Sequence, residues 1–250
     1  MSLTGVVDQW RPETGAGGFS RDDEAVNFYT RINALARPDM VAVDLGAGRG
    51  ERYQKGTSPY VRSLCNLQGK VRHLIGLDVD PVVRSHPCLD EAHVIDPTSP
   101  YPLEDESVDL VICEYVAEHV EHPEVFAREI GRILKPGGWF CAMTPNKYGY
   151  VGLGNLIVPP AVKDRLMRIV WPDRLPEDAF PTFYRLNTLG HFKKAFQPAN
   201  WDHHSYTTAA TPKYHANRSA LFAAVGLYQA LMPAPLQTNL MVYLRKKEQA

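Results

Sequence analysis

The sequence predicts an α/β fold built on a doubly wound, mostly parallel sheet, and three observations carry that prediction. Strand-like and helix-like segments alternate along the chain as far as Pro145. The stretch "VAVDLGAGRG", Val41 to Gly50, is a short apolar run that encloses one carboxylate and ends on three glycines. With 250 residues, 44% of them hydrophobic, the chain is long enough for one large domain with a sizeable core. A single domain over 1–250 is expected, with an N-terminal helix at 22–37 and an inserted, lid-like segment at 147–186.

The elements follow in order. "DDEAVNFYTRINALAR" (22–37) places Val26, Tyr29, Ile32 and Leu35 at helical spacing, with acids in the first turn and Pro38 past the end. Val41, Ala42, Val43 and Leu45 fit a strand buried on both faces. "SPYVRSLCNLQG" reads as a helix capped by Ser58 with Pro59 at its first position. Gly56 and Pro59 break or delay the helix after the glycine turn, so the sequence assigns Glu51 to Lys55 no position. "VRHLIGLDVD" is a second strand ending on Asp78 and Asp80, and "AHVIDPTSP" a third ending on Asp96. Asp109 to Cys113 supply a fourth strand. A helix over 123–134 begins at Pro123 and sets Phe126, Ile130 and Leu134 on one face. "KPGG" then leads into a fifth strand, "WFCAMTP". Repeated strand, helix, strand units require right-handed crossovers, hence a parallel sheet with helices on both faces.

Composition excludes several classes. Charged residues make up 22% and the formal net charge is −1, so neither disorder nor a broad attraction to nucleic acid is expected. Cys65, Cys88, Cys113 and Cys141 are widely spaced without a CxxC pair, which fits reduced thiols in a cytoplasmic protein. No basic leader opens the sequence and no apolar run approaches the roughly 20 residues of a bilayer span, so a soluble chain is expected.

In a sheet of this kind ligands lie off the carboxyl ends of the strands. Glycines at 46, 48 and 50 leave the backbone open to a ligand. The dinucleotide fingerprint needs glycine at its sixth place, where Glu51 stands, and Asp44 and Glu51 are poor neighbours for a pyrophosphate. A cationic ligand suits them better. Asp78 can accept two ribose hydroxyls, which serves a nicotinamide cofactor equally well. Asp96 can accept from an adenine amino group.

"VAVDLGAGRG", "GLDVD", "VIDPTSPYPLEDESVDLVICEYVAEHV" and "RILKPGGWFCAMTPN" together resemble the successive motifs of class I S-adenosylmethionine-dependent methyltransferases, of the small-molecule, ubiquinone-type group. The resemblance runs from Val41 to Asn146. It implies a seven-stranded, Rossmann-like sheet whose last strand, "TNLMVYLRK", is antiparallel, with "HHSYTTA" (203–209) as the sixth. It further implies that Asp44, Gly46, Gly48 and Gly50 border the methionine end of S-adenosyl-L-methionine, Asp78 its ribose, and Asp96 with Pro97 its adenine. Glu114 is expected to face the methionine end, and Tyr115 either to line the cofactor pocket or to pack.

Methyl transfer to a neutral nucleophile disperses charge, so holding the reactants together can contribute on the order of 7–11 kcal/mol. For a hydroxyl acceptor a base adds about 10²–10⁴-fold. His119 is the leading candidate and Glu114 the next; the alternative for His119 is a helix-packing residue. A metal reading of "EHVEH" fails, because the HxxEH order is absent and Pro123 follows His122. His203, His204 and His215 offer no better metal set. Within the insertion, "AVKDRLMRIVW" (161–171) is an amphipathic helix that either packs on the protein or touches a membrane surface or lipid-like acceptor. Tyr184 and Arg185 can hold a polar or anionic acceptor, or form a packed ring and a surface salt bridge. The expected activity is methyl transfer to a small or medium-sized acceptor at oxygen, such as a glycan, lipid-linked or natural-product precursor. The rivals are a nicotinamide-dependent oxidoreductase and a non-catalytic binding module.

Overall fold

A computed structural model describes residues 3–50, 58–158, 180–212 and 215–248. The helix expected at 161–171 and the residues Glu51 to Lys55 lie outside them. Two helices, α1 (Leu3–Trp10) and α2 (Glu24–Leu35), precede strand β1 (Val41–Leu45). Asp23 caps α2 by accepting the Val26 amide, inside the expected 22–37 stretch. Then come α3 (Pro59–Cys65), β2 (His73–Asp78), β3 (Glu91–Val94), β4 (Val108–Glu114), α4 (Pro123–Ile133) and β5 (Leu134–Pro145). Ser58 caps α3 through the Val61 amide, and Pro59 opens it, because its missing N–H is one the first turn leaves unpaired in any case. The remainder is α5 (Tyr150–Ile157), α6 (Leu189–Ala195), β6 (Trp201–His203), β7 (Tyr206–Thr208), α7 (Ser219–Leu231) and β8 (Asn239–Lys246).

The sheet order is β3-β2-β1-β4-β5-β8-β6, with β7 also paired to β8. Strands β1 to β5 run parallel, β8 runs antiparallel to β5, and β6 and β7 are antiparallel to β8. The chain therefore winds outward from β1 to β3, crosses back to β4, and leaves its switch point between β1 and β4. Alternate residues of β4 divide between two cores. Val111 and Cys113 join Ile130, Phe140, Phe192 and Phe196 beneath α4 and α6. Leu110 and Ile112 join Phe28, Ile32, Val61 and Met143 beneath α2 and α3. Strands β1, β2 and β4 are thus covered on both faces, as their unbroken apolar runs require.

Two expectations need correction. The sixth strand is not continuous over 203–209: β6 and β7 flank a break at His204 and Ser205. There the Ser205 hydroxyl accepts the Tyr243 amide at 3.2 Å, in place of a strand carbonyl, while the His204 amide still donates to the Tyr243 carbonyl. The sheet accordingly has eight strands rather than seven. Helix α7 was not foreseen; "SALFAAVGLYQAL" has no charged residue, so its apolar periodicity marks no face. Among the described residues no helix is long and apolar enough to cross a membrane.

Candidate active site

The glycine turn at the end of β1 is held by backbone and carboxylate together. The Gly46 amide donates to the Leu77 carbonyl at 2.7 Å, which carries the β1–β2 ladder one residue past Leu45. Gly46 then takes φ +79° and Gly48 φ +57°, in the left-handed region where a side chain is disfavoured. The three glycines serve different ends. A Cβ on Gly46 would stand 2.1 Å from Val116 Cγ2, and one on Gly50 2.7 Å from Pro87 Cδ, so these two let the turn close on its neighbours. A Cβ on Gly48 would meet nothing within 4 Å among the described residues. Of the three, Gly48 alone opens on space free of them.

Asp78, at the carboxyl end of β2, anchors that turn. Its Oδ2 accepts the Gly48 amide and its Oδ1 the Asp80 amide, both at 2.8 Å. Each oxygen keeps a second lone-pair direction. Asp44 lies one residue inside the end of β1, in register with Gly76 and Ile112. The Ile95 amide donates to the Asp78 carbonyl at 2.8 Å and brings the turn after β3, with Asp96 and Pro97, beside the end of β2. Asp96 closes that turn itself: Oδ1 accepts from the amide and hydroxyl of Thr98, and Oδ2 from the Ser99 hydroxyl. These bonds, the Thr98 amide foremost, hold the exposed carboxyl below the usual carboxylate range.

Glu114 ends β4, and its Oε2 accepts the Tyr29 hydroxyl of α2 at 3.0 Å. Tyr115 follows at φ +55°, a strained conformation for an aromatic residue. Its amide donates to the Met143 carbonyl; its hydroxyl donates to Glu24 Oε1 at 3.4 Å and accepts from Asn239 Nδ2 at 3.3 Å. The ring is thereby tied between α2 and β8.

The next turn, Ala117–His119, carries a residue that the sequence raised only in the rejected metal reading of "EHVEH". Glu118 is buried, and burial pushes its carboxyl above the usual value. Its Oε2 accepts the Thr144 hydroxyl at 2.8 Å, and Thr144 in turn accepts Asn187 Nδ2 at 2.7 Å. The Glu118 carbonyl accepts the Phe183 and Tyr184 amides, which docks the 180–187 segment on this turn. His119 completes the contact. Its Nδ1 lies 2.6 Å from the Pro181 carbonyl, with the Phe180 ring edge-on. A carbonyl only accepts, so Nδ1 carries the hydrogen, and in the neutral ring the lone pair sits on Nε2. Tyr184 is buried at φ +52°. Arg185 donates from Nη1 to the Glu121 carbonyl at 2.8 Å and stacks over Phe183. The expected residues thus gather along the carboxyl ends of four adjacent strands, with His119 and Tyr184 on neighbouring segments. Among the described residues no group of His, Cys, Asp and Glu could hold a metal ion.

Residues 43–142 match the family described as "Methyltransferase domain". That match spans 100 of the chain's 250 residues, and over it the chain is similar to S-adenosylmethionine-dependent methyltransferases. A protein of Mycolicibacterium smegmatis described as "Probable S-adenosylmethionine-dependent methyltransferase" is 38% identical over 81 residues, which cover 30% of this chain and 31% of that protein. The chain therefore aligns with about a third of that curated relative's length. An S-adenosylmethionine-dependent methyltransferase from Mesorhizobium loti superposes with TM-score 0.53 at 17% identity, over 90% of this chain and 99% of its own. The [4+2]-cyclase SpnF does so with TM-score 0.53 at 15% identity, over 89% and 81%. At such identities the likeness is one of fold, and a shared fold hosts more than one chemistry. The methyl donor of a methyltransferase domain of this class is S-adenosyl-L-methionine, and the residues present fit it. Gly48 leaves open space above the turn, and the second lone pairs of Asp78 suit a diol.

Proposed function

We propose that the chain transfers a methyl group from S-adenosyl-L-methionine to an oxygen of a small or medium-sized acceptor, and that it works in the cytoplasm. The observation that carries this reading is the joined arrangement of Gly48 and Asp78: one carboxylate fixes the open glycine and still offers lone pairs at the end of β2. In this reading Asp44, Gly46, Gly48 and Gly50 bound the methionine end, Asp78 accepts from the ribose, and Asp96, Pro97, Glu114 and Tyr115 complete the cofactor wall. Four free cysteines, three of them buried, support a reducing compartment.

When bound, the donor supplies a methyl group on a positively charged sulfur. The chain's part is to orient and to accept a proton. His119 takes the hydrogen of the acceptor hydroxyl on Nε2 while Pro181 keeps Nδ1 protonated, so the ring becomes a cation that its two fixed partners hold in place. The 180–187 segment, docked through Glu118, forms the acceptor side with Tyr184 and Arg185.

Calorimetry with S-adenosylhomocysteine tests the assignment. Binding is expected, with no thermal stabilisation by NAD or NADP. Absence of binding, or stabilisation by a nicotinamide cofactor instead, would overturn it.

A further inference from the structure

Beside the 180–187 segment lies a cavity of about 380 Å³ between the first turn of α4, residues 183–185 and α6. Its charged lining comes from distant parts of the chain: Lys147 two residues past β5, Arg185, and His191 with Lys194 on α6. Among the described residues Glu124 is the one carboxylate on its wall. Among the described residues Lys147, Arg185 and Lys194 form no salt bridge with Glu124 or with any other acid. Arg185 is held by its Nη1 bond to the Glu121 carbonyl. Among the described residues its Nε and Nη2 donate to no protein acceptor, so the edge that grips an oxyanion with two parallel bonds is available.

We propose that this cavity binds the phosphate of a phosphorylated acceptor through Lys147, Arg185 and Lys194, an inference that rests on the methyltransferase reading and narrows its substrate class. Like charges gathered without counterions repel one another, and His191 registers it. Its ring is held below the ordinary imidazole value, first by burial and then by the fields of Lys147 and Lys194. Its buried Nδ1 has no hydrogen-bond partner among the described residues. With the imidazole neutral, three cations and one carboxylate leave a net +2 on the lining formed by the described residues. A phosphate monoester carries about −1.5 to −2 at neutral pH and matches that charge, whereas a monocarboxylate cancels only half of it. The position suits an acceptor handle. The Tyr184 amide that borders the cavity is bonded to the Glu118 carbonyl, one residue from His119, so a group anchored here belongs to a molecule reaching the site.

The test follows the His191 ring by NMR through a pH titration at constant ionic strength, in chloride, in acetate and in inorganic phosphate, on the full chain. Phosphate is expected to raise the His191 midpoint by about one pH unit, as an opposite charge placed within a few ångströms does. Acetate should raise it by less than half as much. In the double variant Lys147→Gln/Lys194→Gln the chloride midpoint should rise, the phosphate-dependent part should vanish, and S-adenosylhomocysteine affinity should stay within twofold of the parent. A midpoint equal in phosphate and chloride, a shift that survives in the double variant, or an equal response to acetate each overturns the proposal. If phosphate moves His191 in a protein that does not bind S-adenosylhomocysteine, the anion site stands and the methyltransferase reading falls.

Discussion

Gly46 and Gly48 both adopt positive φ, yet alanine at the two positions should have opposite consequences. At Gly46 the new methyl lies 2.1 Å from Val116 Cγ2, so the turn after β4 must move by more than an ångström. Overpacking of that kind costs about 1–3 kcal/mol, and the left-handed backbone adds about 1–2 kcal/mol. Gly46→Ala should therefore lose about 2–5 kcal/mol of stability, which lowers Tm by at least 4 °C for a domain of this size. At Gly48 the backbone term stands alone, since none of the described residues lies within 4 Å of the added methyl, and the loss should be about 1–2 kcal/mol. The methyl instead occupies space a ligand would use. Urea denaturation compares the stabilities, and calorimetry with S-adenosylhomocysteine compares the affinities. Gly48→Ala should remain folded and lose at least tenfold in affinity, about 1.4 kcal/mol. Equal stability of the two variants would refute the packing argument, and unchanged affinity in Gly48→Ala would refute the placement of the donor.

Asp78→Ala removes the acceptor of the Gly48 and Asp80 amides as well as the lone pairs left for a diol. It should abolish S-adenosylhomocysteine binding and also cost about 2 kcal/mol in urea denaturation, a stability loss that a residue serving the ligand alone would not show. His119→Gln should lower kcat/KM by about 10²–10⁴-fold with donor affinity unchanged, and a loss below threefold would mean that the acceptor hydroxyl needs no base from this chain. Arg132 donates to Glu129, Asp105 and the Tyr101 and Leu103 carbonyls, so Arg132→Met should destabilise the domain by about 3 kcal/mol. Burial pushes Glu129 up, but Arg132 and the Tyr101 amide together bring it below the ordinary carboxylate value. Its contribution is therefore present above that ordinary value and lost as pH falls through the folded one. Without Arg132 the Tyr101 amide alone opposes burial, so the deficit of the variant should be larger near pH 7 than near pH 3 in urea midpoints.

The parts legible in the sequence are those whose local pattern has one physical solution. Strands covered on both faces, such as β1 and β4, read as apolar runs, and a turn that repeats positive φ favours glycine, so the sheet and the place of Asp78 were readable. Ser58 and Pro59 fixed the start of α3 for the same local reason. Glu118 was not readable. Its partners are Thr144, 26 positions away, and through it Asn187, a further 43 along the chain, so nothing near "AEH" distinguishes a buried acid from a solvated one. Tyr115 left its two readings open because its hydroxyl partners, Glu24 and Asn239, lie 91 and 124 positions off. The division of the sixth strand depends on Ser205 accepting an amide from β8, a choice that propensity cannot express.

The cations illustrate the same limit from the other side. Arg185 is readable in the sequence as able to hold an anionic acceptor, but Lys147 and Lys194 are ordinary polar residues there, and nothing beside any of the three hints at a shared task. They meet because β5 delivers Lys147 to the carboxyl edge of the sheet, and Glu118 draws residues 183–185 onto that edge beside α6. A single surface lysine in water gains little from any one partner. Three cations on one cavity wall, with no acid paired to them among the described residues, form a field that an anion with two charges would cancel and one with a single charge would not. The position of the acceptor handle is thus a consequence of topology, and the buried Glu118 carbonyl, which fastens the 183–185 segment in place, is the link between the readable sheet and the unreadable pocket.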